Sequence, residues 1–517
     1  MVDTPEETSP ETLPEEEAAP RKAASLARNV TSSIGALIAL VALVNIAFLI
    51  LADVGQEHSN PYIGVLAYCI VPAFLVLGLV LFIVGMLVER RRRRRRAPGD
   101  IAEYPDIDLN NPNIRRAFVV SLIGFTTFIA VSLFGSYQAY HYTDSDSFCG
   151  TMCHEIMHPE YTAYKLSPHA RVGCVNCHIG AGATWYVKSK LSGAYQVYAT
   201  IANKYPKPVP TPVHNLRPAQ ETCEQCHWPE KFWGAQLKVF NHFAYDEANT
   251  PRETRMLIKT GGGSPSSGMV AGIHWHMNIA NEITYLATDE HRQQIAWVRM
   301  RNRNTGQSIE YKLADAKISP AQMSPDKLRR MDCVDCHNRP THIYQPPDRS
   351  VDTALLAGRI SRTLPYIKQQ AVTVLTKDYK STPEAANAIA AGLRKYYQTT
   401  YPDIAKNRSK DLDQAIAAVQ MIFQTSRFPE MNVDWRTHPN NVGHFYSQGC
   451  FRCHDDNHVS ADGKKISKDC TICHTLLGQS ESEVVMVQAP NAQFQHPVDL
   501  GDLRAVNCSD CHTGSGM

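Results

Sequence analysis

"FCGTMCHEIMHPEY" spans residues 148–161 and follows directly on an apolar run long enough to cross a bilayer. Cys149 and Cys153 precede His154, and Met157 comes three residues later. The pattern recurs six times. Cys174 and Cys177 precede His178, Cys223 and Cys226 precede His227, and Cys333 and Cys336 precede His337. Further on, Cys450 and Cys453 precede His454, Cys470 and Cys473 precede His474, and Cys508 and Cys511 precede His512. Six of the seven read Cys-x-x-Cys-His, and the first carries one extra residue. Of the 15 cysteines only Cys69 stands apart, in an apolar run where it reads as a small buried hydrophobe.

Two thiols one turn apart, followed at once by histidine, are the attachment pattern of c-type haem. Each thiol adds to a vinyl group on one edge of the porphyrin, and the next residue points a ring nitrogen at the iron. Zinc sites also use paired cysteines, but need no histidine after every pair. A disulfide framework leaves the seven histidines unexplained. The sequence therefore predicts seven covalently attached haems.

Each iron has a second face. Histidine there gives a low-spin electron carrier, and methionine raises the potential. Seven of the 21 histidines belong to the motifs. Among the others, His169 and His342 lie five residues from a motif residue, His444 and His458 bracket the fifth motif, and His496 precedes the seventh. His276, in "GIHWHM", is a further candidate, with His274 as its rival. Met157 is the candidate beside the first motif, with His158 as the alternative.

The net charge is only +2, so no broad basic field points to nucleic acid. The charges are segregated, however: residues 1–17 are acidic and Arg90 to Arg96 form an unbroken basic run. Three runs are apolar enough to span as helices, Ile34–Ala52, Tyr62–Val88 and Ala117–Tyr137. The first exceeds a signal-peptide core and follows an acidic stretch, so it reads as a retained anchor. Arginines and lysines flank the first span, follow the second and precede the third, whereas the loop at 53–61 has none. The N-terminus and the arginine loop are thus expected in the cytoplasm. All that follows the third span is expected in the periplasm, anchored in a bacterial inner membrane. The arginine run reads as a retention charge meeting lipid headgroups.

The expected fold class is mainly α with sparse secondary structure. Three N-terminal transmembrane helices carry a periplasmic multihaem domain with a small β insertion. The expected division is an acidic tail (1–33), a three-helix anchor (34–140), a tetrahaem domain (141–345), a helical connector (346–435) and a trihaem domain (436–517). In so short a segment as the last, porphyrins must supply the hydrophobic interior. "TRMLIKT", "IAWVRMRN" and "SIEYKL" read as strands, with "NTGQ" at 304–307 as a hairpin turn. "GGGSPSSG" at 261–268 reads as a loop and lacks the Gly-Lys-Ser/Thr of a nucleotide site. "AANAIAAGLRKYY" and "DLDQAIAAVQMIF" read as helices.

A membrane helix ending before a haem motif, "CHEIMHPEY", "SPH" ahead of the second motif and "CVDCHNRPTH" together resemble the NapC/NirT-type quinol dehydrogenases. The resemblance covers about residues 117–345. The three later motifs and the two extra spans resemble the seven-haem inner-membrane cytochromes of metal-respiring bacteria. The resemblance implies electron transfer from the membrane quinone pool to periplasmic c-type cytochromes or reductases. It implies that Met157 takes the place of the family's haem-ligating methionine, with His154 the other candidate ligand of the first haem, and that quinol binds nearby against Lys190. Gln196 stands where the family has an acidic residue, and Met157 is shifted by one. Two other readings stay open: a terminal reductase with an open-faced haem, and a relay subunit fed by a separate quinol-oxidising protein.

Overall fold

A computed structural model describes residues 26–27, 29–54, 71–94, 108–152, 154–180, 183–213, 216–261, 272–481, 484–487, 494, 496, 500–501 and 506–515. Cys153, the loop at 262–271, the start of the second span and most of the acidic tail lie outside them. The chain divides into two compact units at Ala139/Tyr140.

In the first unit, α1 (Val30–Val54) packs on α2 (Val71–Arg93), and α3 (Pro112–Thr143) leads into the second unit. All three are long and apolar enough to cross a membrane. Small residues let α1 and α2 approach closely: a Cβ on Gly78 would lie 2.6 Å from the Ala39 nitrogen. Ser32 Oγ donates to the Phe82 carbonyl at 2.9 Å across the same seam. Asn45, the polar interruption of the first span, donates to its own helix at the Val41 carbonyl (2.9 Å). On α3, Val120, Ile123, Val131 and Phe134 are exposed, as a lipid-facing surface requires.

The second unit opens with a π-turn at Phe148–Met152, followed by α4 (His154–Lys165), α5 (Cys174–His178), α6 (Ala183–Ile201) and α7 (Ala219–Thr222). Two antiparallel sheets follow. One has the order β1 (Ala235–Phe243), β2 (Pro251–Lys259), β8 (His474–Glu481), β9 (Val484–Val487). The other runs β6 (Arg329–Arg330), β3 (Asn281–Ala287), β4 (Ile295–Asn302), β5 (Ser308–Leu313), β7 (His458–Ser460). The expected strands fall on β2, β4 and β5, the first running one residue past the end of β2. The hairpin after β4 closes through Asn302 N–H to the Gln307 carbonyl at 2.8 Å, with Gly306 at φ +73°. The sheets are more than an insertion, because β7, β8 and β9 come from the last 60 residues. Pairing between distant segments carries no local sequence signal.

α8 (Cys333–Cys336) precedes a helical layer of α9 (Pro347–Leu356), α10 (Ile367–Thr376), α11 (Thr382–Thr400), α12 (Pro402–Asn407) and α13 (Ser409–Ser426). Ala385, Ile389, Leu393 and Tyr397 recur every four residues on α11, and all are fully buried. They pack with Leu412, Val419 and Phe423 of α13 and with Ile367 and Leu375 of α10. Ser381 caps α11 by accepting from Glu384 N–H (3.3 Å). A buried ion pair, Lys368 Nζ to Asp352 Oδ1 at 2.7 Å, ties α10 to α9. A last short helix, α14 (Cys508–Cys511), ends the fold.

Candidate haem-binding sites

Local hydrogen bonds shape the motif turns. In the fourth, Asp332 Oδ1 accepts from Val334 N–H (3.0 Å), and Asp335 Oδ2 accepts from Asp332 N–H (2.8 Å). This reciprocal capping box is legible in "DCVDC". Asn507 and Asp510 repeat it in the seventh motif. The turn then brings histidine back over the first cysteine: His337 N–H donates to the Cys333 carbonyl and His512 N–H to the Cys508 carbonyl, both at 2.8 Å. Both thiols and the imidazole are thereby presented on one side of a single turn.

Six motif histidines face a second histidine. Ring centroids are 6.2 Å apart for His178 and His342, 6.0 Å for His227 and His169, and 6.4 Å for His337 and His274. The values are 5.9 Å for His454 and His276, 6.3 Å for His474 and His444, and 6.1 Å for His512 and His496. Each of these pairings joins one motif histidine to one other histidine. A ring nitrogen about 2.0 Å from a metal, with the centroid about 1.1 Å behind it, puts trans rings about 6.2 Å apart. The spacing therefore fits one iron between each pair.

The hydrogen bonds of the rings agree. Nδ1–H donates to a carbonyl in His274 (Thr260, 2.8 Å), His276 (Ile273, 3.0 Å), His342 (Glu160, 3.0 Å) and His454 (Ser467, 2.9 Å). That leaves Nε2 with its lone pair, as a ligating imidazole needs. Burial pushes the pKa of His178, His274, His276, His337, His342, His444, His474 and His512 below the ordinary value. The neutral form, the one that binds metal, is favoured.

Of the sequence candidates, His169, His276, His342, His444 and His496 face a motif histidine, and so does His274. His458 does not. It is buried, with Nδ1 2.9 Å from Asp455 Oδ1 and Nε2–H donating to the Ile295 carbonyl at 3.0 Å. Both nitrogens are thus engaged, Nδ1 locally with Asp455 and Nε2 across to the first residue of β4. His158 lies edge-on to Phe428 with centroids 5.3 Å apart. Met157 is half-buried on α4, three residues beyond His154. Gln196 is exposed on α6, where its amide reaches Ser192 Oγ at 3.3 Å. The side chains of His154 and Lys190 lie outside the described ones.

Consecutive motifs are also neighbours. Cys174 lies close to Cys149, and Cys223 close to Cys333. Cys177 likewise lies near Cys223 and Cys226, Cys336 near Cys450, Cys473 near Cys450, and Cys508 near Cys470. Each motif therefore adjoins the next in chain order, a layout that spacing in sequence does not reveal.

Apolar spanning helices followed by haem-attachment turns with facing histidines define a membrane-anchored multihaem c-type cytochrome. The chain belongs to the NapC/NirT cytochrome c family: the profile of that family's N-terminal region matches residues 112–220. It is 45% identical over 493 residues to "Cytochrome c-type protein ImcH" of Geobacter sulfurreducens, covering 95% of this chain and 96% of the relative. No solved structure matches the chain.

Proposed function

We propose that the chain holds seven haems in single file and oxidises quinol at the membrane end of the file. Electrons then leave to a soluble periplasmic cytochrome or reductase. The observation that supports this reading best is the adjacency of consecutive motifs combined with the six histidine pairs. Covalently bound haem supplies reversible one-electron chemistry. The polypeptide holds the six motif imidazoles opposite a second imidazole, so no open face is left for a substrate at those positions. This favours a relay over a terminal reductase.

The first motif differs. Its distal candidate is Met157, and it follows directly on α3. Quinol, dissolved in lipid, gives up two protons and two electrons, and a lysine ammonium can hydrogen-bond its oxygen as the protons leave. We assign that role to Lys190, with Gln196, six residues further on, as a neutral partner. In this scheme the N-terminus and the arginine loop face the cytoplasm, the haem unit faces the periplasm, and the membrane is a bacterial inner membrane. The acidic tail, anchor, tetrahaem segment, connector and trihaem segment retain the boundaries given above.

Purified protein in liposomes should be reduced by a menaquinol analogue with no other subunit present. Lys190→Ala and Met157→Ala should slow that reduction while leaving haem content intact. Unreduced wild-type protein would point to a separate quinol-oxidising partner, and unchanged variant rates would remove the site assignment.

A further inference from the structure

We infer that the single turn Ile273–Met277 supplies the distal ligands of two different haems. His274 serves the fourth motif and His276 the fifth, so the turn joins the four-motif segment to the three-motif segment. This rests on the paired-histidine reading above and extends it to a junction that the family match at 112–220 does not reach.

The two histidines flank Trp275, and their partners are far apart in sequence. His274 lies nearly parallel to His337, with 9° between ring planes, whereas His276 is perpendicular to His454, at 89°. Both use Nδ1 on backbone carbonyls, and both are half-buried.

The turn is rigid for stated reasons. Gly272 precedes it at φ +145°, and a Cβ there would meet the Lys259 carbonyl oxygen at 2.6 Å. Only glycine fits so close to β2. His274 N–H reaches the Thr260 carbonyl at 3.3 Å, and Asn281 Nδ2 donates to the Trp275 carbonyl at 2.9 Å. The Trp275 ring packs against the small core of Ile283, Tyr285, Ile295 and Val298, which Cys453 also touches.

The attachment side is clamped separately. Arg452, inside the fifth motif, donates to the Asp335 carbonyl of the fourth at 2.8 Å and to the Arg292 carbonyl at 2.7 Å. Asn441 Nδ2 adds a bond to the same Asp335 carbonyl at 3.1 Å. Both faces of the two sites are therefore fixed to one another, by the distal turn on one side and the arginine on the other. The separation of the fourth and fifth haem positions is then set by two residues of backbone.

The test is the coordination state of the full-length oxidised protein in detergent, read by electron paramagnetic resonance. Thioethers and the motif histidine retain each haem, so His274→Ala and His276→Ala should keep the wild-type haem content. Each should show one new high-spin haem, and the double variant two. Added imidazole should return them to low spin. His274→Ala should lose one haem's worth of the rhombic signal expected of parallel rings. His276→Ala should instead lose intensity from the strongly anisotropic signal of perpendicular rings. Should the alanine variants fail to mature, His274→Met and His276→Met should each convert one haem from bis-histidine to histidine–methionine in the near-infrared spectrum. A variant at either position with unaltered coordination overturns the inference, as does a double variant in which one haem alone changes. No quinol is used, so a failure of quinol oxidation leaves this result standing.

Discussion

Asp335 sits between Cys333 and Cys336, and its side chain is only 2% exposed. Its carboxylate accepts from Tyr285 Oη and Arg329 Nε, both at 2.7 Å, and from the Asp332 N–H at 2.8 Å. Arg292 Nη1 stands at 3.4 Å. Hydrogen bonds to a charged group are each worth about 1.5–3 kcal/mol, and removing one partner of a buried ion pair costs about 3–5 kcal/mol. Asp335→Ala leaves Arg329 with Asp332 alone (3.2 Å) and strands the buried tyrosine hydroxyl and a helix N-terminus, so about 3–5 kcal/mol should be lost. Asp335→Asn keeps one carbonyl oxygen for the cap and should lose about 2–3 kcal/mol of the same total. Guanidinium unfolding of the detergent-solubilised protein, followed by Soret circular dichroism, measures both. Removing this anion should also raise the potential of one haem in a redox titration. A double-mutant cycle with Arg329→Met isolates the pair, and coupling above about 1.5 kcal/mol is expected. If Asp335→Asn unfolds within about 0.5 kcal/mol of the wild type, the buried network does not hold the fourth motif in shape.

Three further outcomes follow from other parts of the fold. Lys368→Met leaves Asp352 buried with only Phe243 N–H (3.1 Å) and His242 Nδ1 (3.3 Å), and should cost about 3–5 kcal/mol in the same unfolding assay. His438 is held at a pKa of about 4 by burial and by the nearby Arg339. Because the unfolded histidine takes a proton near pH ~6.5 and the native one does not, stability should fall as pH drops from there towards 4. By pH ~4.5 the wild type should have lost about 2–3 kcal/mol more than His438→Gln, and parallel pH profiles would contradict this. Gly78→Leu should separate α1 from α2 and lower thermal stability by the equivalent of at least about 1–3 kcal/mol. Leu79→Ala, on the exposed side of the same helix, should leave it unchanged.

The attachment turns were legible because their chemistry is local: two thiols, an imidazole and, in three of them, a capping carboxylate lie within six residues. The helices at 382–400 and 409–426 were legible for the same reason, their apolar residues recurring at helical spacing. The pairing of histidines was not. His276 and His454 meet only because β3, β4 and the fifth motif share one small core, and nothing near either residue encodes that meeting. His458 illustrates the converse. It lies close to a motif in sequence, yet Nδ1 is taken by the local carboxylate of Asp455 and Nε2 by the Ile295 carbonyl. His274 could have been favoured alongside His276 from the alternation in "HWH", since a tight turn can send two such side chains to separate partners.

The central claim is that this polypeptide carries a covalent haem at every attachment turn, including the expanded first one. Intact-mass measurement of the purified, denatured chain tests it most directly. The account predicts the mass of the polypeptide plus seven haems, retained through acidified organic extraction. A mass showing fewer than seven, or pigment that extracts away from the protein, would contradict it.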